Sequence, residues 1–218
     1  MHPKEKSLIV LFFCYQLMKR TMQHQDLNLS QQEAVTHIHG PLLVLAGAGS
    51  GKTRVVTNRI THLLEEGIDP QSILAITFTN KAADEMRNRV QEMTNSHVWI
   101  STFHSLGAKM LREMKGAHLL EADFTIYDDD DREKALKRVL DELGIKDKDL
   151  TPKSFKTLIG DAKNKLLSPD DWVVPAGASK REEVFPKVYR MYQRILKTSN
   201  AADFDDLLYL PARILKEN

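Results

Sequence analysis

The stretch Ala46-Gly47-Ala48-Gly49-Ser50-Gly51-Lys52-Thr53 decides the fold, because its glycines and its lysine follow the pattern of a phosphate-binding loop. Residues 42–46 are continuously apolar, and residues 55–64 carry apolar side chains at helical spacing. The glycines allow the backbone to curl with its N–H groups pointing inward, where they can bind phosphate oxygens. Ala46 stands where the pattern G-x-x-x-x-G-K-[ST] has glycine, so the loop is a variant. A glycine-rich strand-to-helix turn with a surface lysine is the alternative interpretation.

Lys52 and Thr53 stand where this loop joins the helix. The N-terminus of the helix adds the positive end of its dipole to the loop. In a loop of this kind, the lysine ammonium reaches the β- and γ-phosphates of a nucleoside triphosphate, and the threonine hydroxyl coordinates Mg²⁺. We therefore expect Lys52 and Thr53 to be the catalytic residues of the loop, with Thr53 as a ligand of the metal.

Strand patterns alternate with helical patterns over the first half of the chain. Short apolar runs at residues 42–46, 73–78 and 98–101 predict three strands. Helical spacing follows each of them, and Gly67 is a stop signal for the first helix. This alternation predicts an α/β fold with a parallel sheet that is covered by helices on both faces.

From about residue 115, strand patterns stop and helical periods take over. Apolar faces recur in three stretches, which are residues 135–143, 155–162 and 184–195. Thr151-Pro152 predicts the start of the second of these helices. The pattern therefore predicts an all-helical insert over residues 116–199. A last helix is predicted over residues 203–215, with inward-facing Phe204, Leu207, Leu208 and Ile214.

The composition is that of an ordinary globular chain. Among 218 residues, 42% are apolar and 28% are charged, which excludes a disordered tail, a collagen-like repeat and a disulfide scaffold. The net charge is +1, so the chain is not a polycation. Any nucleic-acid binding must therefore come from a shaped local site.

Residues 1–21 are predicted to be an extension outside the folded core. The apolar run at residues 8–15 is too short to span a membrane, and Lys19 and Arg20 follow it instead of a cleavage site. The single cysteine, Cys14, cannot form an internal disulfide and fits a reducing compartment. These features predict a cytoplasmic protein without a membrane partner.

Four further stretches surround the phosphate loop in the sequence. They are Leu27-Asn28-Leu29-Ser30-Gln31-Gln32-Glu33-Ala34-Val35, Thr77-Phe78-Thr79-Asn80-Lys81-Ala82-Ala83, Ser101-Thr102-Phe103-His104-Ser105-Leu106 and Ala202-Asp203-Phe204-Asp205-Asp206-Leu207-Leu208. In this order, they resemble the UvrD/Rep/PcrA family of superfamily 1 DNA helicases over about residues 27–218. The resemblance implies a RecA-like P-loop NTPase domain, ATP and Mg²⁺ as cofactors, and ATP-dependent 3′-to-5′ movement along DNA. The implied partners are single-stranded DNA and junctions between single strand and duplex.

The resemblance also assigns ATP-binding residues. Gln31 matches the family glutamine that recognises the adenine edge, where an amide can both donate and accept a hydrogen bond. An exposed glutamine on a first helix is the alternative. The loop residues that match the ATP site are Ala46, Gly47, Ala48, Gly49, Ser50, Gly51, Lys52, Thr53 and Arg54.

Two stretches match the single-strand contact motifs of the family. Phe78, Thr79 and Asn80 follow the second predicted strand; hydroxyl, amide and backbone N–H groups there can hold phosphates, and an aromatic ring can stack on a base. Core packing is the alternative for Phe78. Thr102 and His104 match the second motif, and a structural role is the alternative for His104.

The resemblance implies a division into two domains. Residues 22–115 and 200–218 correspond to part of the motor domain 1A. Residues 116–199 correspond to the accessory domain 1B, which lies beside the incoming duplex in the family.

The Walker B motif of the family, a buried strand that ends in Asp-Glu, is not found in the sequence. Residues 124–127 resemble a strand followed by acids, but Asp128 is expected to cap the next helix. Asp141-Glu142 falls within a helical period, and residues 203–206 match the helix that precedes Walker B in the family. We therefore expect an N-terminal fragment of a helicase that binds ATP and DNA weakly and hydrolyses little ATP alone.

Two other classes of function stay open at this point. The chain length fits a complete small P-loop phosphotransferase, although no arginine-rich lid is evident in the sequence. A non-catalytic ATP- or DNA-binding module, in which the helical insert binds another protein, is the second alternative.

Overall fold

The computed structural model describes residues 27–114 and 120–217. The predicted extension at residues 1–21 therefore lies outside the described residues. The chain forms two compact units, of which the first ends at Thr102 and the second begins at Phe103. The division into motor and accessory domains made from the sequence stays a prediction.

The first unit combines helices with a parallel pair of strands. Within residues 27–102 its elements are α1 (Leu29–Thr36), α2 (Lys52–Glu65), β1 (Leu74–Thr77), α3 (Asn80–Thr94) and β2 (Trp99–Thr102). The strands run parallel, with Leu74 opposite Trp99 and Thr77 opposite Thr102. The strands predicted at residues 73–78 and 98–101 are thus confirmed to within one or two residues.

Apolar side chains from α2, α3 and both strands form the core of this unit. Its buried members include Ile60, Ile73, Ala75, Met86, Val90 and Ile100. The helical members recur every three or four residues, so that each helix buries one face against the strands. The predicted stop at Gly67 is confirmed, because this residue has a φ of +83° just beyond the end of α2.

The first predicted strand is wrong: residues 42–46 are not part of a sheet in the structure. A strand needs a neighbour for its backbone N–H and C=O groups. Among residues 27–102, the only ladder joins β1 to β2. The side chains of this apolar stretch are consequently exposed rather than buried, with Leu43 at 83% and Leu45 at 87% of their accessible surface.

The second unit is mainly helical. Its elements within residues 103–114 and 120–217 are α4 (Phe103–Glu113), β3 (Thr125–Tyr127), α5 (Asp129–Glu142), α6 (Pro152–Asn164), α7 (Lys180–Thr198), β4 (Ala201–Asp203) and α8 (Asp206–Glu217). Helices α5, α6 and α7 pack around a buried core that includes Leu136, Val139, Phe155, Ile159, Phe185, Tyr189 and Tyr192. Three of the helices predicted from periodicity are therefore confirmed.

The helix caps of this unit follow the predictions. Asp128 accepts a hydrogen bond from the backbone N–H of Asp131 at 2.9 Å, so it caps α5 as expected and is not part of a Walker B strand. Thr151 caps α6 in the same way, with Pro152 at the first helical position. Asp141 and Glu142 lie within α5.

The prediction that this region is all-helical is wrong. Residues 125–127 form β3, which pairs in parallel with β4. Parallel strands need a long crossover, and helices α5 to α7 provide it. The last helix starts at Asp206 instead of residue 203, since residues 201–203 belong to β4. Phe204 and Leu208 were expected to face inward, but they are 49% and 37% exposed.

Helices α4 and α8 meet at a glycine. A Cβ atom placed on Gly107 of α4 would lie 1.8 Å from the backbone oxygen of Leu207 in α8. No real pair of atoms approaches so closely without bonding, so the two helix backbones pack directly against each other here. Leu111 and Ile214 are buried in the adjoining apolar cluster.

Candidate functional site

The glycine-rich loop keeps its sharp turn although residues 42–46 before it form no strand. Gly49 and Gly51 have φ values of +73° and +81°, which side chains with a Cβ rarely adopt. Gly51 is the N-cap of α2, so α2 begins at Lys52. The first N–H groups of any α-helix have no acceptor within that helix. A helix N-terminus of this kind can bind an anion.

The Lys52 ammonium lies over the loop. Its Nζ donates to the backbone oxygen of Gly47 at 2.6 Å and to that of Ala46 at 3.3 Å. The hydroxyl of Ser50 also donates to the oxygen of Gly47, at 2.7 Å. The Lys52 ammonium thus places a positive charge at the centre of the loop. An anion that binds there can replace the Gly47 and Ala46 oxygens as the partner of this ammonium.

Gln31 reaches the same loop from α1. Its Nε2 donates to the backbone oxygen of Ser50 at 3.1 Å. Asn28 fixes the orientation of this side chain, because the Asn28 N–H donates to Gln31 Oε1 at 3.0 Å in a capping box. The cap of α1 therefore orients the amide that faces the loop.

The loop borders a cavity of about 610 Å³, a size typical of small-molecule sites. Gln31, Ala46, Gly47, Ser50 and Lys52 line it from the predicted ATP-binding set. An apolar wall adds Leu42, Val44, Leu45, Val55 and Val56. No acidic residue of the described chain lines this cavity, so its charged lining consists of Lys52 and Arg59.

The other predicted loop residues lie beside the cavity. Ala48, Gly49 and Gly51 belong to the turn, and Thr53 and Arg54 lie in the first turn of α2. The Thr53 side chain is exposed, one residue after Lys52.

The first candidate strand-contact motif lies at the carboxyl end of β1. Phe78 is 89% exposed, which excludes the core-packing alternative. The Thr79 hydroxyl accepts a hydrogen bond from the Ala82 N–H at 3.1 Å and caps α3, so Asn80 becomes the first residue of that helix. The exposed ring therefore stands next to a helix N-terminus, which favours phosphate groups.

The second candidate motif is split between a buried and an accessible residue. Thr102 ends β2 and is only 5% exposed, so its side chain offers little surface to a ligand. His104 in α4 is half-buried, and its ring centroid lies 5.6 Å from that of Phe204 at an interplanar angle of 58°. Phe204, which the sequence pattern predicts to lie in the core, is thus a further candidate; no local signal in the sequence indicates its exposure.

Residues 27–114 and 120–217 contain neither a membrane-spanning helix nor a cluster of metal ligands. No helix in these ranges is long and apolar enough to cross a membrane. In the same part of the chain, His, Cys, Asp and Glu form no group of three that suits a metal ion.

These features define an α/β chain with a glycine-rich loop at a helix N-terminus and a ligand-sized cavity beside it. The sequence model of the UvrD/REP helicase N-terminal domain matches residues 27–218, and the chain belongs to this family. The resemblance noted in the sequence is therefore confirmed.

Several relatives share this region with the chain. The ATP-dependent DNA helicase PcrA of Leuconostoc citreum is 44% identical over 189 residues, which are 84% of this chain and 25% of the relative. PcrA of Staphylococcus aureus strain COL is 44% identical over 186 residues, with the same coverage. PcrA of Staphylococcus epidermidis strain ATCC 12228 is 43% identical over 188 residues, or 84% of this chain and 26% of the relative. The chain thus spans about a quarter of the length of these relatives.

Proposed function

We propose that the chain is the nucleotide-binding part of an ATP-dependent DNA helicase, with the ATP phosphates at the 46–53 loop. The contact of Gln31 Nε2 with the Ser50 backbone oxygen carries this proposal. It brings a base-reading amide and the Lys52 ammonium to one cavity, as a nucleotide with a polar base edge and an anionic tail requires. The relatives named PcrA support the same activity.

The cavity and the loop beside it offer partners for the phosphates and the adenine ring of ATP. The loop N–H groups and Lys52 would bind the phosphates, and Thr53 would contribute its hydroxyl to Mg²⁺. The apolar wall that includes Val44 and Val55 suits the faces of the adenine ring. Gln31 would contact the edge of that ring. Such a motor couples ATP to movement along DNA, and we assign it the 3′-to-5′ direction of the family resemblance.

Single-stranded DNA, alone or at a junction with duplex, is the proposed track. Phe78, Thr79 and Asn80 in the first unit suit a base and its phosphate, because an exposed ring adjoins a helix N-terminus. In the second unit, His104 and the half-exposed Phe204 form a second aromatic contact. Thr102 would act through its backbone.

We further propose that residues 22–115 and 200–218 form a RecA-like motor domain and residues 116–199 an accessory domain.

We expect the chain to hydrolyse little ATP by itself. Hydrolysis needs a carboxylate that holds the metal and another that orients the attacking water. None of the described residues that line the cavity is acidic. The candidate acids elsewhere have other partners: Asp128 caps α5, and Asp203 and Asp206 form buried ion pairs in the second unit.

The test combines binding with turnover. A fluorescent ATP analogue should bind saturably by fluorescence polarisation, whereas phosphate release with oligothymidylate should stay far below that of full-length Staphylococcus aureus PcrA. Turnover close to that of PcrA would contradict the expected inactivity. Phosphoryl transfer to a nucleoside monophosphate would instead favour the phosphotransferase alternative.

Gln31→Ala should mainly reduce the preference for ATP over GTP. The substitution removes one hydrogen-bonding amide from the cavity, which corresponds to about a threefold to tenfold loss of preference. Competition of ATP and GTP against the fluorescent analogue measures this ratio. Gln32→Ala is the matched control, because the Gln32 amide donates to the Leu27 oxygen at 2.8 Å and does not line the cavity. An unchanged ratio in Gln31→Ala would exclude a base-reading role.

A further inference from the structure

A network of buried charges surrounds the start of α8. The Lys163 side chain of α6 is fully buried, and its Nζ lies 2.8 Å from Asp203 Oδ2 and 2.8 Å from Asp206 Oδ1. A buried ammonium is costly unless it is paired and hydrogen-bonded. Burial alone would lower the pKa of Lys163, but Asp206 and Asp203 outweigh it and raise this pKa above its ordinary value. The lysine therefore keeps its charge in the core.

Two more helices contribute to the same network. Arg132 of α5 donates through Nη2 to Asp205 Oδ2 at 2.6 Å, and its Nε lies 3.6 Å from Asp203 Oδ2. The Tyr192 hydroxyl of α7 donates to Asp203 Oδ2 at 2.9 Å. Each of the three helices α5, α6 and α7 thus contributes one polar side chain that contacts the short segment of residues 203–206.

The segment is also closed on itself. The Asp203 N–H donates to Asp206 Oδ2 at 3.1 Å, and the Asp206 N–H donates to Asp203 Oδ1 at 2.9 Å. Phe204 lies inside this closed turn, between the anchored Asp203 and Asp205. Its backbone is therefore fixed on both sides while its ring remains half-exposed beside His104.

The two carboxylates of the turn differ in their protonation equilibria. Burial would raise the pKa of Asp203, but the Lys163 and Arg132 charges outweigh it and lower this pKa to about 2. Burial raises the pKa of Asp206 to about 6; Lys163 opposes the rise, and the Asp203 charge reinforces it. Asp203 therefore keeps its negative charge to a lower pH than Asp206 does.

We propose that Lys163 and Arg132 are positioning residues for DNA binding, which hold the 203–206 turn so that Phe204 presents its ring beside His104 to a nucleobase. The inference rests on the proposed function, in which the second unit contacts single-stranded DNA through these two rings. Neither cation needs to touch DNA. The hydrogen bonds and ion pairs of the network restrict the motion of the turn and so fix the position of the Phe204 ring. A ring that is already fixed loses less conformational entropy when a base stacks on it.

The test compares oligonucleotide affinity among folded variants of the full chain. Fluorescence anisotropy with fluorescein-labelled oligothymidylate should show that Phe204→Ala weakens binding about tenfold, as expected for the loss of one base-stacking ring. Lys163→Met, which keeps the length of the side chain without its charge, should weaken binding to a similar extent. Val139→Ala is the control, since it creates a cavity in the same helical core at a residue outside the network; its affinity should stay within about twofold of wild type.

The double variant separates positioning from general destabilisation. Lys163→Met combined with Phe204→Ala should bind no more weakly than Phe204→Ala alone, because both act through one ring. Nuclear Overhauser contacts between the His104 and Phe204 rings should also disappear in Lys163→Met. If this variant does not fold, Arg132→Gln replaces it in the same cycle, since Arg132 is at the edge of the network, with 9% of its side chain exposed.

Three results would overturn the inference. They are wild-type affinity in a folded Lys163→Met variant, fully additive losses in the double variant, and a network variant that retains the ring contacts. Failure of Phe204→Ala and His104→Ala to weaken binding, or absence of binding by the wild-type chain, would instead remove the proposed DNA contact itself and the inference with it.

Discussion

Lys52→Ala should abolish detectable binding of a fluorescent ATP analogue. The ammonium is the cation at the centre of the glycine-rich loop, 2.6 Å from the Gly47 oxygen. A charge-assisted hydrogen bond contributes about 1.5–3 kcal/mol, so the loss of this group corresponds to a roughly ten- to hundredfold weaker complex. Fluorescence polarisation at nucleotide concentrations up to the millimolar range measures the effect.

A matched substitution distinguishes this role from a general effect of charge. Lys137→Ala removes an exposed lysine from α5 in the second unit and should leave nucleotide binding unchanged. Circular dichroism confirms that both variants are folded. Nucleotide affinity in Lys52→Ala equal to that of wild type would exclude phosphate binding at this loop and favour a non-catalytic interaction module.

Gly107→Ala should produce a large loss of stability in the second unit. The new methyl group would lie 1.8 Å from the Leu207 backbone oxygen, and neither helix backbone can move without disturbing the buried side chains around it. Overpacking against a side chain costs about 1–3 kcal/mol. A clash with a backbone atom should cost more, because the backbone can move less than a side chain. We expect the free energy of unfolding of the second unit to fall by at least about 2 kcal/mol, which lowers Tm by roughly 10 °C.

Gly160→Ala provides the control for this substitution. Gly160 is also a helical glycine, so alanine brings the same gain in helix propensity, about 1 kcal/mol. Its new methyl group would lie 3.2 Å from Asp205 Oδ2, which pairs with Arg132, so the contact is tight but far longer than the 1.8 Å approach at Gly107. Thermal unfolding should therefore separate the two variants clearly. Equal Tm values would show that α4 and α8 do not pack backbone to backbone.

Local signals explain what could be predicted from the sequence. The Thr151-Pro152 pair and Asp128 act through hydrogen bonds three residues away, so their capping roles follow from the residues themselves. The glycine-rich loop is equally local, since its turn depends on glycine at positive φ. Gln31 was placed at the loop by family resemblance, and the capping box of α1 gives that position a physical cause.

Features that depend on distant partners escaped the sequence analysis. Residues 42–46 have the composition of a buried strand, yet a strand also requires a neighbour, which no described residue provides. Strand β3 pairs with residues 75 or more positions away, and no periodicity in either segment indicates that pairing. The sequence pattern places Phe204 on an inward helical face only if the last helix starts at residue 203. The turn that instead exposes Phe204 is held by Lys163, which lies 40 positions before Asp203 and gives no local signal.

The apolar stretch at residues 42–46, which precedes the glycine-rich loop, should limit the solubility of the chain. Leu43 and Leu45 expose most of their surface, and the backbone around them pairs with no described strand. Accessible apolar segments with free main-chain groups are starting points for intermolecular sheets. Concentrated solutions should therefore precipitate slowly through this stretch, and a charged replacement such as Leu43→Lys should improve solubility.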